Sequence, residues 1–564
     1  MASTLLSPGV EIQERDLTLG SIETVEVNVG GLVGAFEKGP ILTPIRISSE
    51  AQLIEQFGEP TNANAEDWWT AASFLQYGGV LEVVRTQTTG QLTASDQPTG
   101  GSYTLSIPTK EIYETVNYID STNTWHWAAR NIGADGNAIK VSVIDQGADV
   151  TLTLDGALGT STIGTQIQTT SGNAGGAKSG FVYDWDSSTN KVSLITSDTW
   201  TTADVIENGA TDLNITAKVD WYDTQVAFPN VNWSSIAPRP GTSPYVSDRG
   251  GANDEMHIVV YDSTGAITGA PNTLLEKFTF VSKANDAKTS SGAINYYPTV
   301  ILNQSEYVYW GKHMEDGYDV SGNAAISNGD PNFEGSVQDS NPSTTTFDLF
   351  SNSKADREFA LSRGADNMIP TASQIIGALE EFRDTETLEI DYLLMGSGDP
   401  SLASKTDCIA VGNQVLSIAS SRKDCIGFLS PWYSDVVGVT SSATQTQNVV
   451  DFYSGMQNTS FGVFDSGWKY IYDRFADQYR YVPLNGDTAG LCASVTANGT
   501  PWFSPAGLNR GAIRGAVKLA FSPTKSERDT LYQKRINPVT SLPGQGIVLF
   551  GDKTALASPS AFDR

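Results

Sequence analysis

The hydrophobic pattern divides the chain into three stretches. Residues 22–36, IETVEVNVGGLVGAF, alternate apolar and polar positions and then turn wholly apolar. That pattern predicts a strand running into a Gly-rich turn. SSEAQLIEQFG (48–58) puts Leu53, Ile54 and Phe57 on one face behind Ser48 or Ser49, so it predicts a capped helix. AEDWWTAASFLQYGG (65–79) predicts a second helix ending at Gly78, and VLEVVRT (80–86) a buried strand. From residue 87 to about 372 short β-like runs alternate with polar, Gly-rich turns: AIKVSVID, DVTLTLDG, KVSLITSD and MHIVVYDSTGAITG, with TSGNAGGAKSG as a loop.

From about residue 373 helical and strand periods alternate again. TASQIIGALEEFRD predicts a helix opening at Thr371 or Ser373, LEIDYLLMG a strand, and SLASKTDCIAVGNQVLSIASSR a helix. DCIGFLSP predicts a strand, SATQTQNVVDFYSGM a helix, and SFGVFDSGWKYIYD one strand or a hairpin. This order suggests a parallel sheet with crossover helices, joined to residues 21–86 in one domain. Near the end, SPAGLNRGAIRGAVKLAFSP (504–523) spaces Arg510, Arg514 and Lys518 four residues apart, a basic stripe if helical. Ser504 and Ser522 are candidate caps, with Pro505 and Pro523 at first helical positions. The second of these helices is expected over roughly Thr524–Arg535, and GIVLFGDKTAL as a strand and its turn. Residues 1–20 read as extended: Pro8 and Gly9 oppose a helix, while Val10 and Ile12 alternate with polar neighbours. Such a terminus is either disordered or a strand that pairs with another chain.

Charge sharpens the division. The chain of 564 residues carries 64 acidic and 35 basic side chains, a formal charge of -29. From Trp468 on, twelve basic residues face seven acidic ones; before it the counts are 23 and 57. The C-terminal stretch therefore has a different electrostatic task. So acidic a chain argues against nucleic acid as partner. No stretch approaches the ~18–20 apolar residues of a membrane span, and MASTLLSPGVEIQERD lacks the layout of a signal peptide. Cys408, Cys425 and Cys492 are few and widely spaced, which argues for reduced thiols made in a cytoplasm.

Catalytic and metal signatures are missing from the sequence. His126, His257 and His313 stand at no metal-ligand spacing. GLVGAFEKGP lacks the Gly-Lys-Ser/Thr ending of a phosphate loop, and FGDKTAL lacks its glycine run. Asp residues in DYLLMGSGDP and EMHIVVYDSTG stand at strand ends, where turn roles prevail. WKYIYDRFADQYRYVP could stack on carbohydrate, although strand core with snorkelling Arg474 and Arg480 is the simpler expectation. No catalytic residue, metal or cofactor is assigned.

The order of several motifs resembles the tail sheath proteins of contractile bacteriophages, of the large myovirus type. The blocks are SPGVEIQERD, VGAFEKGP, FGEPTN and FLQYGGVLEVVRT; then NIGADGNAIKVSV and the run from YDSTGAITG to SEYV; then RKDCIGFLSP, WKYIYDRFADQYRYVPLNGDTAGLCA, PWFSPAGLNRGAIRGAVKLAFSP, INPVTSLPGQGIVLFGDKT and SAFDR. They cover residues 1–90 and 373–564 well and the middle in patches.

The resemblance implies an α+β multidomain fold, with α/β inner domains and inserted β-rich outer domains. The implied division is an extended arm at 1–20, an α/β sheath domain at 21–86 plus 373–500, a β-rich α+β insertion at 87–94 plus 220–372, an outermost β-rich insertion at 95–219, and the start of a C-terminal inner domain at 501–564. In the family SAFDR is followed by a further helix and arm, so the stop at Arg564 implies truncation. The implied role is structural, not enzymatic: subunits stack as hexameric rings around a tail tube, hold a metastable extended state, and contract to drive the tube through the host envelope. Implied partners are further copies, the tail tube protein, and baseplate and tail terminator proteins, with no nucleic acid and no direct membrane insertion. The expected location is the virion, after synthesis in the host cytoplasm. Arg510, Arg514 and Lys518, with Lys525 and Arg528 nearby, are expected to face an acidic tube. Ser7, Pro8, Gly9, Val10, Ile12 and Asp16 are expected to exchange a strand with a neighbour. Alternatives are the sheath of a related injection system, a secreted β-rich glycan-binding protein, and a baseplate or capsid component.

Overall fold

The computed structural model describes residues 28–98, 102–117, 123–159, 165–209, 211–249, 253–312, 358–498 and 502–557. The predicted N-terminal arm, Ser7 to Asp16, lies outside them.

The apolar runs at the two ends of the chain meet in one seven-stranded sheet. Its order is Ile45–Ile47, Val80–Arg85, Val29–Gly34, Tyr392–Leu394, Ile426–Leu429, Gly462–Asp465, Ile536–Asn537. All neighbours are parallel except the edge strand Ile45–Ile47. Val29–Gly34 is buried along its whole length, as a strand covered on both faces must be. One face packs Val33, Val84, Leu393 and Leu429 on helices Ala372–Leu379, Lys405–Arg422 and Ser442–Tyr453. The other packs Leu32, Leu81, Val83 and Phe428 on helices Glu50–Phe57, Ala65–Leu75 and Asn485–Ala497. The caps follow the sequence: Ser49 accepts from Gln52 N, and Thr371 forms a capping box with Gln374.

Between Arg85 and Ala372 the chain builds antiparallel layers. A four-stranded sheet runs Thr273–Ser282, Glu255–Asp262, Ile139–Ile144, Glu358–Ala360. A six-stranded sheet of residues 150–220 has its own core around Leu152, Val182, Val192, Leu194 and Trp200. The two connections to the inner sheet are braced by the bridges Leu92–Ala365 and Ser95–Ser362. Beneath them the fully buried Arg85 donates to the carbonyls of Phe36, Gly39, Glu37 and Ile132 at 2.8–2.9 Å, and pairs with Asp366 at 3.3 Å. Both layers of the molecule thus share one guanidinium.

Three expectations need correction. First, residues 504–519 are not a helix: they run through turns into the short strand Lys518–Leu519. Gly507, Gly511 and Gly515 each weaken a helix by about 1 kcal/mol relative to Ala, and Gly507 (φ +99°) and Gly515 (φ +67°) take left-handed backbone. Strand partners take the segment instead: Ala512 bridges Val548 and Leu519 pairs with Lys469. Ser504 Oγ accepts from Ala506 N in a local turn. Second, the later helix is Lys525–Gln533, capped not by Ser522 but by Thr524 in a capping box with Glu527. Third, SFGVFDSGWKYIYD is neither one strand nor a hairpin. Gly462–Asp465 ends in the parallel sheet, where the buried Asp465 carboxylate accepts from Gly467 N (3.0 Å) and Ser430 Oγ (2.6 Å). That bend starts a separate hairpin, Trp468–Asp473 with Gln478–Pro483.

Helix Asn485–Ala497 carried no amphipathic signal. Nine of its thirteen residues are buried, Asn485, Asp487 and Thr488 among them, so there is no single apolar stripe to detect.

Candidate assembly surface

The hairpin and Lys518–Leu519 form a three-stranded sheet in the order Gln478–Pro483, Trp468–Asp473, Lys518–Leu519. Alternation sends Lys469, Ile471 and Asp473, opposite Val482 and Arg480, to one face, and Tyr470 and Tyr472, opposite Tyr481 and Tyr479, to the other. The charged face is the buried one. Lys469 is 1% exposed and its Nζ lies 2.8 Å from Asp487 Oδ2. Tyr77 Oη donates to Asp487 Oδ1 (3.1 Å), Arg514 N donates to Tyr77 Oη (2.9 Å), and Lys469 Nζ reaches Arg514 O at 3.3 Å. Burial pushes the Asp487 carboxyl and the Tyr77 phenol up; Lys469 opposes this at Asp487, while the Asp487 charge adds to it at Tyr77. Arg480 Nε donates to the buried Asp473 at 2.6 Å and does not snorkel; Arg474 pairs with Glu50.

The aromatic face is open. Tyr472 is 47% and Tyr479 53% exposed. Tyr470 stacks on Tyr479 with centroids 5.3 Å apart and meets Tyr481 at 4.6 Å. Lys518, directly opposite Tyr470, holds its ammonium 4.5 Å from that ring. These tyrosines were the residues that sequence reasoning missed. Their alternation was visible in WKYIYD and YRYVP, but alternation does not say which face turns inward.

The predicted basic residues are divided among the turns at 508–515, the strand Lys518–Leu519 and the helix Lys525–Gln533, four of the five against an aromatic ring. Arg510 lies over Phe503 (4.9 Å) and donates to Ser504 O; Arg514 lies over Tyr77 (4.6 Å); Arg528 lies over Phe550 (5.9 Å). Lys525 is exposed at its helix start. Lys469, Arg474 and Arg480 have carboxylate partners, whereas among the described residues none is found for Arg510, Arg514, Lys518, Lys525 or Arg528. Around them Trp502 (75%) and Val517 (61%) are exposed. Phe503 also lines a cavity of about 460 Å³ with Tyr392, Phe428 and Cys492.

The C-terminal ends of the parallel strands, where doubly wound sheets take ligands, are filled by the chain itself. Asp67 accepts from Ser397 N (2.7 Å), Asn485 Nδ2 donates to Gly396 O (2.8 Å), and Asn485 N donates to Ser430 Oγ (2.9 Å). Burial pushes the Asp67 carboxyl up to about 6. Asp399 and Asp262, the strand-end carboxylates, organise turns: each accepts from backbone N–H groups just downstream. Among the described residues no group of three or more His, Cys, Asp or Glu side chains is placed to hold a metal.

Comparison with known proteins places this geometry in a class. Residues 370–555 match the family described as phage tail sheath protein central domain. The tail sheath protein of Vibrio phage KVP40 is 28% identical over 606 residues, covering 100% of this chain and 84% of that one. That of Enterobacteria phage T4 is 28% identical over 611 residues, covering 100% and 83%. The crystal structure of a sheath tail protein from Listeria innocua covers 95% of this chain and 70% of that one at 10% identity, with a TM-score of 0.41. The chain is thus similar along its whole length to phage tail sheath proteins, and its residues 370–555 match the central domain of that family.

Proposed function

We propose that this chain is the contractile sheath subunit of a phage tail. It polymerises as stacked hexameric rings around the tail tube, holds a metastable extended state, and contracts without consuming nucleotide. It is made in the host cytoplasm and meets baseplate and terminator proteins at the two ends of the stack. The role is mechanical, and no catalytic residue is assigned.

The observation that carries the reading is the set of five cations without carboxylate partners, in a chain of charge -29. They lie on the stretch from Trp468 onward, where twelve basic residues outnumber seven acidic ones, whereas the rest of the chain is strongly acidic. Cations left unneutralised, four of the five held on aromatic rings, suit an acidic partner, and Arg510, Arg514, Lys518, Lys525 and Arg528 are assigned to the tube. Exposed ion pairs are worth roughly 0–1 kcal/mol each and weaken with salt, which suits a contact that holds before contraction and releases during it. The arm from Ser7 to Asp16 is assigned to strand exchange between neighbours.

The test is co-sedimentation with tubes assembled from the phage tube protein. Arg510→Glu with Arg514→Glu weakens binding roughly ten-fold at low salt. Unchanged binding at low salt contradicts the tube assignment. Deleting residues 1–20 leaves monomer binding to the tube intact but abolishes extended arrays; normal arrays from that variant contradict strand exchange.

A further inference from the structure

The inner sheet is electrically polar along its strand direction. Its N-terminal end carries the loop 380–389, with Glu380, Glu381, Asp384, Glu386 and Glu389 against the single cation Arg383. This loop leads directly into strand Tyr392–Leu394, and Asp424 stands beside it before Ile426–Leu429. The acidic loop is held rigid from below. The buried Arg422 guanidinium donates to the carbonyls of Phe382 (2.7 Å), Asp384 (2.7 Å) and Leu388 (2.8 Å), and to both Asp424 oxygens at 2.9 Å. Asp384, Glu386, Glu389 and Asp424 remain exposed.

The opposite end carries the tyrosine face. Trp468 follows strand Gly462–Asp465 across Ser466 and Gly467, and its Nε1 donates to Pro431 O, just past the C-terminal end of Ile426–Leu429. The hairpin sheet therefore sits at the C-terminal ends of the same strands whose N-terminal ends bear the acidic loop. Its outward face offers Tyr470, Tyr472, Tyr479, Tyr481 and Lys518, with the exposed Asp477 at the hairpin tip accepting from Tyr472 Oη. Exposed tyrosines on a rigid sheet, rimmed by a cation, are the composition of a protein-binding surface.

We propose that the tyrosine face of one copy docks on the acidic loop 380–389 of the next copy, while Lys518 at its edge stays with the tube. The two surfaces differ, lie at opposite ends of one rigid sheet, and are complementary in hydrogen bonding: one offers tyrosine hydroxyl donors, the other exposed carboxylate acceptors. A contact of that kind is heterologous: it closes into a ring or continues as a helix, and it does not stop at a dimer. The inference deepens the sheath reading and rests on the chain being a polymerising subunit, but it concerns copy–copy contact and needs no tube.

The experiment is analytical ultracentrifugation of the full chain, without tubes, across protein concentration and salt. Two variants are compared with the parent after circular dichroism shows that they are folded: Tyr472→Ser with Tyr479→Ser, and Glu386→Lys with Glu389→Lys. The parent associates. Each variant alone associates at least roughly ten-fold more weakly. Their equimolar mixture forms one-to-one dimers and nothing larger, because each keeps one intact surface. A parent that stays monomeric at every concentration overturns the proposal, as does either variant associating like the parent or a mixture that stays monomeric. Tube co-sedimentation in parallel separates this from the tube reading. Association without tube binding removes only the tube assignment. Tube binding lost in the tyrosine variant, with self-association unchanged, assigns the face to the tube instead.

Discussion

The six-stranded outer sheet and the three-stranded hairpin sheet obey the same alternation with opposite sign. In the outer sheet Val150, Leu152 and Leu154 point into a core, while Lys191 on the adjacent strand is exposed. In the hairpin sheet Lys469 and Asp473 are buried, Arg480 is partly buried against Asp473, and Tyr472 and Tyr479 are open. The first arrangement is what the hydrophobic effect gives an independent layer. The second costs desolvation of several charges, and it persists because Asp487 and Arg514 O satisfy Lys469, Tyr77 Oη donates to Asp487, and Arg480 satisfies Asp473. In the contact proposed above, the aromatic side of this inverted sheet is completed by another copy of the chain.

The largest effect expected follows from breaking the inverted face. Lys469→Met leaves Asp487 buried without its cation and lowers stability by about 3–5 kcal/mol, read as a shift in chemical denaturation. A change below about 1 kcal/mol would mean that Asp487 is already neutral beside Lys469.

The outer sheet gives the matching control. Leu152→Ala opens a cavity in its core and costs about 2–5 kcal/mol locally, yet self-association stays at the parental level. Loss of association in that variant would show that the outer layer, not the hairpin, carries the contact.

The sheet ends predict a pH dependence. The Asp67 carboxyl, with an ordinary value of 3.8, is held at about 6 by burial. The folded state therefore binds more protons than the unfolded state between about pH 4 and 6, and this group's contribution to stability falls as pH rises through that window. The total is roughly 2–3 kcal/mol. Asp67→Asn removes that slope while its Oδ1 still accepts from Ser397 N. A slope identical to the parent's in a denaturation series from pH 4 to 7 would contradict the assignment.

The smallest effect is on the open face. Tyr479→Ser changes stability by less than about 0.5 kcal/mol, in calorimetry of the isolated chain. A larger loss would make this tyrosine part of the core and erase the contrast between the two sheets.

Legibility in the sequence followed the same division. Strands such as Val80–Arg85 and Ile139–Ile144 were readable as short apolar or alternating runs bounded by turn residues, and helix Glu50–Phe57 from one apolar face behind one cap. The basic residues 510, 514 and 518 were visible as unusual charge, but their helix was not real: glycine at every fourth position yields to strand pairing that only the fold supplies. Helix Asn485–Ala497 was hidden by burial on all sides. The tyrosine face was hidden because a period of two is symmetric, and its sign is set by distant partners, Tyr77 and Asp487.

The most direct test of the central claim is tyrosine footprinting by mass spectrometry, comparing the free chain with intact tails. Tyr472 and Tyr479 react readily in the free chain and are protected in the tail, while exposed residues of the outer sheet such as Lys218 keep their reactivity toward a lysine reagent. Equal reactivity of both tyrosines in the free and assembled states would contradict the account.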